Sequence, residues 1–231
     1  MKARMRAACF IFPAGLALAL CVAAQGQPPA TVTFHFEDPR MQPAKYTITV
    51  HEDGTGRFHA EAGPTAPDDT AALPSEGQDR PIQITAPTTE RIFATARAKK
   101  FFDIACEGGD AHMAFTGKKE LGYQGTDGHG GCFYNYSKDP KIERLTTEMQ
   151  GIAATLESGR RLEIEHEHGR LSLDAELETL ESMAQNGQAL ELGNIAPQLL
   201  AIVKDDAVMQ RAQKRARHLL AIIDAGGIVT K

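Results

Sequence analysis

The chain has 231 residues, of which 30 are acidic and 25 are Lys or Arg, and its formal net charge is −5 at pH 7. The first 24 residues hold three of these cations and no acid, so the rest of the chain carries −8. This balance argues against nucleic acid or an anionic membrane surface as a partner. The length after residue 24 suffices for one good-sized domain or two small ones.

Residues 1–24 have the pattern of a secretory signal peptide. Three cations within the first six residues precede an apolar run over residues 7–24, and the small residues at its end fit a cleavage site before Gln25. We therefore expect a periplasmic or secreted protein without a membrane span after cleavage. The alternatives are a retained N-terminal anchor, for which the run is barely long enough, and a lipoprotein modified at Cys21.

Two cysteines, Cys106 and Cys132, are left after removal of the signal. In an oxidising compartment they most simply form one disulfide, which in the chain-entropy model adds about 3–4 kcal/mol of stability. A pair of free thiols and a metal site are the alternatives, although two thiols without a Cys-x-x-Cys make a poor zinc site. We expect the disulfide and no cofactor.

The first part of the mature chain is predicted to form strands. Residues Tyr46–Val50 alternate in polarity, and Asp53-Gly54 is a strong hairpin turn signal before a returning strand over 56–61. The segment 62–79 lacks periodicity and is predicted to be a mobile loop. Two further short strands are predicted at Thr31–Phe36 and Pro81–Thr85.

Two helices with apolar stripes are predicted to follow. The first covers about 88–101. The second starts by the cap-then-proline pattern at Pro140, continues to about Glu167 and is expected to kink at Gly159. Between them, strands punctuated by glycines are predicted at Asp110–Thr116, Glu120–Gln124 and Cys132–Tyr136.

These elements predict an α+β domain over 31–168, built from an antiparallel sheet with two helices packed against one face. From Gly169 onwards the apolar spacing is helical only, and 169–227 is predicted to be an all-helical C-terminal part. Its helices are expected at Ser172–Ala184, around Pro197, and from Asp205 or Asp206 onwards.

The glycine-rich segment 125–131 contains the first weak candidates for a metal-binding or hydrolytic site, Asp127 and His129. These two side chains could bind a cation or share a proton. A calcium loop, however, needs several spaced oxygen ligands, and only Asp127 qualifies here. The sequence therefore favours a tight hairpin turn next to Cys132.

His166 and His168 are the other weak candidates, and they follow Glu163 and Glu165. Imidazoles two residues apart on a helix point about 200° apart, so they cannot easily share one ion, and a solvated helix face is favoured. No catalytic residue can be named, because the chain has no His-Glu-x-x-His, no Gly-x-Ser-x-Gly and no phosphate-loop signature.

The run from Tyr46 to Gly56, followed by a Thr-Thr-Glu-Arg helix that ends in Phe101-Phe102-Asp103, resembles small exported bacterial domains of unknown function. Those domains are built from an extended strand, an Asp-Gly turn, a second strand and a helix ending in Phe. The resemblance covers about Thr31–Leu156, although the cysteine that usually precedes the first hairpin is missing here. It implies an α+β fold in an envelope protein and nothing about activity.

The sequence as a whole favours a non-enzymatic binding or interaction module of the bacterial cell envelope. Its partner is not identified, and an envelope protein is one candidate. The alternative is a metal-binding or hydrolytic enzyme whose site combines Asp127 and His129 with residues distant in the chain.

Overall fold

The computed structural model describes residues 29–63, 77–109 and 114–226. Within these ranges it contains one six-stranded sheet and five α-helices, which confirms the predicted α+β class with a helical C-terminal part. The strands are β1 (Thr31–Glu37), β2 (Lys45–His51), β3 (Thr55–Ala60), β4 (Gln78–Gln83), β5 (Lys118–Gln124) and β6 (His129–Tyr134). The helices are α1 (Ala86–Ala98), α2 (Pro140–His168), α3 (Leu173–Gln185), α4 (Ala196–Lys204) and α5 (Gln210–Asp224). The predicted signal peptide and residues 64–76 of the predicted loop lie outside the described residues.

The sheet is antiparallel throughout, with the strand order β4-β3-β2-β1-β5-β6. Along β1 and β2 every second side chain is buried, because the side chains of a strand alternate between the two faces of a sheet. One face is therefore apolar and packs against α1 and α2, and the other is polar. The predicted β2–β3 hairpin is present, and Gly54 in its turn adopts a φ of +82° that favours glycine.

Helix α2 connects the two cores of the molecule. As predicted, Pro140 is its first residue and the preceding Asp139 side chain caps it by accepting a hydrogen bond from the Lys141 amide. Its residues between Ile142 and Leu156 contribute to the sheet core, whereas Leu162 packs into a second core with α3, α4 and α5. The helix continues through residue 159 without a break, and the middle of α2 is buried on nearly all sides.

Both edges of the sheet are covered. Beside the edge strand β4, the Asn194 side chain pairs with Gln83 as a neighbouring strand would. Its Oδ1 accepts from the backbone N–H at 2.8 Å and its Nδ2 donates to the carbonyl at 2.9 Å. Beside the edge strand β6, the predicted disulfide between Cys106 and Cys132 is present and fastens the segment 104–109.

One predicted strand is wrong, and several predicted boundaries are shifted: β4 begins at Gln78 rather than Pro81, and β6 begins at His129 rather than Cys132. The described part of Asp110–Thr116 is not a strand, because its last residue donates hydrogen bonds from its amide and its hydroxyl to Asn135 instead of joining the sheet. The last helix begins at Gln210 and is not capped by Asp205 or Asp206 as predicted. The Asp205 carboxylate accepts a hydrogen bond from the Ala207 amide and so forms a turn ahead of the helix.

Ion pairs support the apolar core of the helical part. Arg215 of α5 contacts two acids of α3, Asp174 at 3.1 Å and Glu181 at 2.5 Å. Arg211, one turn earlier, reaches the same Asp174 at 2.5 Å. These contacts pair two of the cations on the N-terminal half of α5 with acids of α3. Among the described helices, none combines the length and the apolar character needed to cross a bilayer.

Candidate functional site

An open cleft of about 510 Å³ lies where the sheet layer meets helices α2 and α3. Small-molecule sites commonly have volumes of about 300–1,000 Å³. We refer to this feature as the neutral cleft and define it by its lining residues. They are Phe36, Met41, Gln42, Pro43, Tyr46, Thr147, Gln150, Gly151, Ala153, Ala154, Met183, Asn186, Gly187 and Gln188.

The wall formed by α2 consists of small, uncharged residues at helical spacing. Thr147, Gln150, Gly151 and Ala154 follow an i, i+3, i+4, i+7 pattern and therefore share one face of the helix. A Cβ atom at position 151 would lie only 3.1 Å from the side chain of Leu190, so the glycine permits close packing behind the wall. The lack of bulk along this face leaves room for the cleft.

The opposite wall comes from the sheet and from the β1–β2 loop. Phe36 and Tyr46 are directly paired across β1 and β2, and their stacked rings lie 5.1 Å apart. The loop contributes Met41, which is 54% exposed, and Pro43, which follows a cis peptide bond. Met183 of α3 adds a second methionine. Methionine side chains are flexible and polarisable, so they adapt to ligands of different shape.

The lining of the neutral cleft contains no Asp, Glu, Lys, Arg or His. This is notable because 24% of the residues in the chain carry a charge. By contrast, a groove of about 620 Å³ between α1 and the β2–β3 turn is lined by Glu52, Glu90 and Arg97 among others. An ion that entered the neutral cleft would find no counter-charge among the lining side chains. The cleft therefore favours uncharged ligands.

Tyr46 supplies a polar group to the sheet wall of the cleft. Its side chain is 5% exposed, and within the described part of the chain no hydrogen-bond partner reaches its hydroxyl. Burial raises the pKa of this phenol, which therefore stays protonated and able to donate at neutral pH. The hydroxyl is thus a donor that the fold leaves unused.

Tyr134 is a buried tyrosine with the opposite arrangement. It is 4% exposed, and its hydroxyl lies 2.6 Å from that of Thr146. The Thr146 hydroxyl donates in turn to the Ile142 carbonyl at 2.8 Å, so Tyr134 donates to Thr146. The same fold therefore satisfies one buried phenol completely and leaves that of Tyr46 open beside a cleft.

The predicted candidate Asp127 lies in what we refer to as the charged corner, formed by Glu52, Arg97, Tyr123 and Asp127. The Asp127 carboxylate accepts from the Tyr123 hydroxyl at 2.5 Å and from Arg97 Nε at 2.8 Å. These two hydrogen bonds lower the pKa of Asp127. Arg97 also contacts Glu52 at 2.7 Å, so the charges of this corner are paired with one another.

The predicted candidate His129 is the first residue of β6 and is exposed. Neither His129 nor Asp127 lines the neutral cleft. Asp127 is already engaged by Arg97 and Tyr123, as described above. This placement at the tip of the β5–β6 hairpin agrees with the turn that the sequence favours. Among the described residues, these two side chains belong to no group of three or more His, Cys, Asp or Glu that could hold a metal ion.

The other predicted candidates, His166 and His168, lie in the last turns of α2 and have separate surroundings. His166 Nε2 is 2.9 Å from the Asp205 carboxylate, which also contacts Arg170 at 3.2 Å. The side chain of His168 is 75% exposed. Across residues 29–63, 77–109 and 114–226, no group of three or more His, Cys, Asp or Glu side chains could hold a metal ion.

No family model matches the sequence, and no characterised protein matches it at a significant level. We therefore argue function from the geometry of the neutral cleft. Sequence patterns did not point to this cleft, although the small-residue face of α2 is visible in the sequence as Thr147, Gln150, Gly151 and Ala154. The missing partner of Tyr46 leaves no trace in a sequence pattern.

Proposed function

We propose that this protein is a non-enzymatic binding module of the bacterial cell envelope, and that its neutral cleft holds an uncharged, largely apolar small molecule. The observation that carries the proposal is the cleft itself, which offers about 510 Å³ with no charged side chain in its lining. Apolar surface with a few polar groups is the usual composition of a small-molecule site.

Export is the second part of the proposal. It is supported by the signal-like residues 1–24 and by a disulfide, which is rare in reducing compartments. Expression of the full chain in a Gram-negative host, followed by fractionation and intact-mass measurement, tests it. We expect periplasmic protein that lacks the first 24 residues and gains two hydrogens on reduction. A cytoplasmic product with the full-length mass would contradict export.

The enzymatic alternative at Asp127 and His129 has less support. The carboxylate of Asp127 is occupied by Arg97 and Tyr123, which hold it in its charged form and leave it poorly suited to proton transfer near neutral pH. The role of this carboxylate is better explained by the structure of the hairpin tip.

Binding in the cleft is tested with an uncharged, environment-sensitive dye such as Nile red. We expect saturable binding to the mature protein. Ala154→Phe, which fills the α2 wall, should weaken binding at least about tenfold, because a ligand cannot overlap the new ring. The matched control is Ala221→Phe, which makes the same change at an exposed position of α5 and should bind like the wild type.

A second variant guards against a folding defect in Ala154→Phe. Gln150→Glu keeps the size of the side chain and brings one negative charge into the cleft. We expect it to weaken dye binding while leaving the thermal transition near that of the wild type, because residue 150 is only half-buried. Absence of saturable binding to the wild type, or unchanged binding in both variants, would contradict the proposal.

A further inference from the structure

We infer that the ligand of the neutral cleft is an uncharged acyl ester, whose carbonyl oxygen accepts a hydrogen bond from the Tyr46 hydroxyl while its alkyl chain lies along the apolar lining. This inference rests on the proposed function and adds the chemical class of the ligand. It is carried by the position of one donor in the cleft wall and by the composition of the surfaces around it.

The ring of Tyr46 is fixed in place. Its centroid lies 5.1 Å from that of Phe36, 5.8 Å from that of Phe58 and 6.2 Å from that of Phe34. A ring packed on several sides cannot swing its hydroxyl out into solvent without losing these contacts. The donor is therefore presented at a constant position in the wall of the cleft, as a binding group should be.

Only water or a ligand in the cleft can accept a hydrogen bond from this hydroxyl. No described side chain or carbonyl accepts from it, and the residue lines the cavity. Because the fold does not use this donor, it is available to a ligand that displaces water from the cleft.

The acceptor must be uncharged. A carboxylate or phosphate in the cleft would find the Tyr46 donor but no Lys, Arg or His among the lining residues to balance its charge. An ester carbonyl accepts a hydrogen bond without carrying charge. The remainder of the ligand must be apolar where it meets Phe36, Pro43 and Met183, since these side chains offer dispersion contacts only.

The outer part of the cleft can accommodate a neutral polar group. Gln42, Asn186 and Gln188 line the cavity and are exposed, so their amides are available as donors and acceptors to a ligand head group or to water. The cleft thus has an apolar section with one internal donor and an exposed section with neutral amides. This distribution matches an uncharged amphiphile that carries one ester.

The inference is tested by displacement of the uncharged dye with three probes: methyl decanoate, an n-alkane with the same number of heavy atoms, and the decanoate anion. Each probe is measured on the wild type, on Tyr46→Phe and on Tyr134→Phe. We expect the ester to bind Tyr46→Phe about fivefold more weakly than the wild type, since one hydrogen bond between neutral groups changes an equilibrium constant by roughly 2- to 12-fold. The alkane should bind all three proteins equally, and the anion should bind the wild type more weakly than the ester does.

Tyr134→Phe is the matched control, because it removes the hydroxyl of an equally buried tyrosine that does not line the cleft. A spectroscopic measurement separates a hydrogen bond from packing. With the ester carbonyl labelled with carbon-13, its infrared stretch should move to lower frequency in the wild type and return to the value of the unbonded ester in Tyr46→Phe.

The outcomes distinguish the two proposals. If the dye binds but Tyr46→Phe leaves the affinity and carbonyl frequency of the ester unchanged, the inference is wrong and the proposed function stands. Equal losses for the ester and the alkane would also overturn it, because they would indicate altered packing. If neither the dye nor the ester binds the wild type, the proposed function fails first.

Discussion

The neutral cleft and the charged corner use their polar groups in opposite ways. In the charged corner, the Tyr123 hydroxyl donates to Asp127, which also accepts a hydrogen bond from Arg97. Arg97 in turn forms an ion pair with Glu52. In the neutral cleft, the Tyr46 hydroxyl donates to no described group. The comparison teaches that polarity alone does not mark a site. A polar group satisfied within the fold stabilises the fold, and one left unsatisfied beside a cavity is available to a ligand.

The largest expected effect is on the free energy of unfolding, and it tests whether the neutral cleft is independent of the disulfide. The disulfide joins Cys106 to Cys132 across a sequence separation of 26 and fastens the segment 104–109 to the edge strand β6. Replacing both cysteines with alanine should lower the free energy of unfolding by about 3–4 kcal/mol, because the unfolded chain regains the freedom of that loop. Urea denaturation at equilibrium measures the change.

Dye binding to the folded double variant provides the control for this prediction. We expect the affinity to equal that of the wild type, since neither cysteine lines the neutral cleft. A loss of dye affinity in a fully folded sample would mean that the cleft depends on the edge that the disulfide holds, and the separation of the two regions would be wrong.

The next prediction concerns the ionisation of Tyr123 in the charged corner. Burial, and then its hydrogen bond to Asp127, raise the pKa of this phenol to about 12. Its folded pKa exceeds the value of about 10 in an unfolded chain. The resulting stability is fully present below that unfolded value and is lost as the pH rises towards 12. The difference in tyrosinate absorbance between the wild type and Tyr123→Phe during an alkaline titration measures this pKa.

Asp127→Asn tests the second cause of that shift. Removal of the negative charge should bring the pKa of Tyr123 down part of the way, because burial is the larger cause and is unchanged. A titration curve for Tyr123 that is the same with Asp127 and with Asn at this position would show that the charged corner is not held together by this hydrogen bond.

The smallest effect compares the two buried tyrosines directly. Tyr134→Phe should lower the free energy of unfolding by about 1 kcal/mol, because it removes the hydrogen bond to Thr146. Tyr46→Phe should lower it by less, because the Tyr46 hydroxyl makes no hydrogen bond to a described group. Thermal unfolding of the two variants side by side is the measurement. Equal destabilisation would imply that Tyr46 is satisfied within the fold.

Local patterns in the sequence predicted much of this fold. The alternation in β2 and the Asp53-Gly54 turn identified the first hairpin, and the spacing from Ile142 to Leu156 identified α2. Residue chemistry predicted the disulfide, since two cysteines in a chain expected to be exported most simply pair with each other. These features depend on neighbouring residues or on residue type alone, so they can be recognised without the tertiary structure.

The features that sequence reasoning missed depend on contacts between distant segments. Arg97 and Asp127 are 30 positions apart, and Asn194 reaches Gln83 across 111 positions. The strand predicted at Asp110–Thr116 is wrong for the same reason. Its last residue, Thr116, donates to the side chain and to the backbone carbonyl of Asn135, which is 19 positions away. The open hydroxyl of Tyr46 is the extreme case, since it is defined by a contact that the fold does not make.

The most direct measurement of the central claim is a crystal structure of the mature protein grown with methyl decanoate. We predict that the ester occupies the neutral cleft with its carbonyl oxygen about 2.7–2.8 Å from the Tyr46 hydroxyl and its alkyl chain against Phe36 and Met183. An ester bound elsewhere on the protein, or bound in the cleft with its carbonyl turned away from Tyr46, would contradict the account.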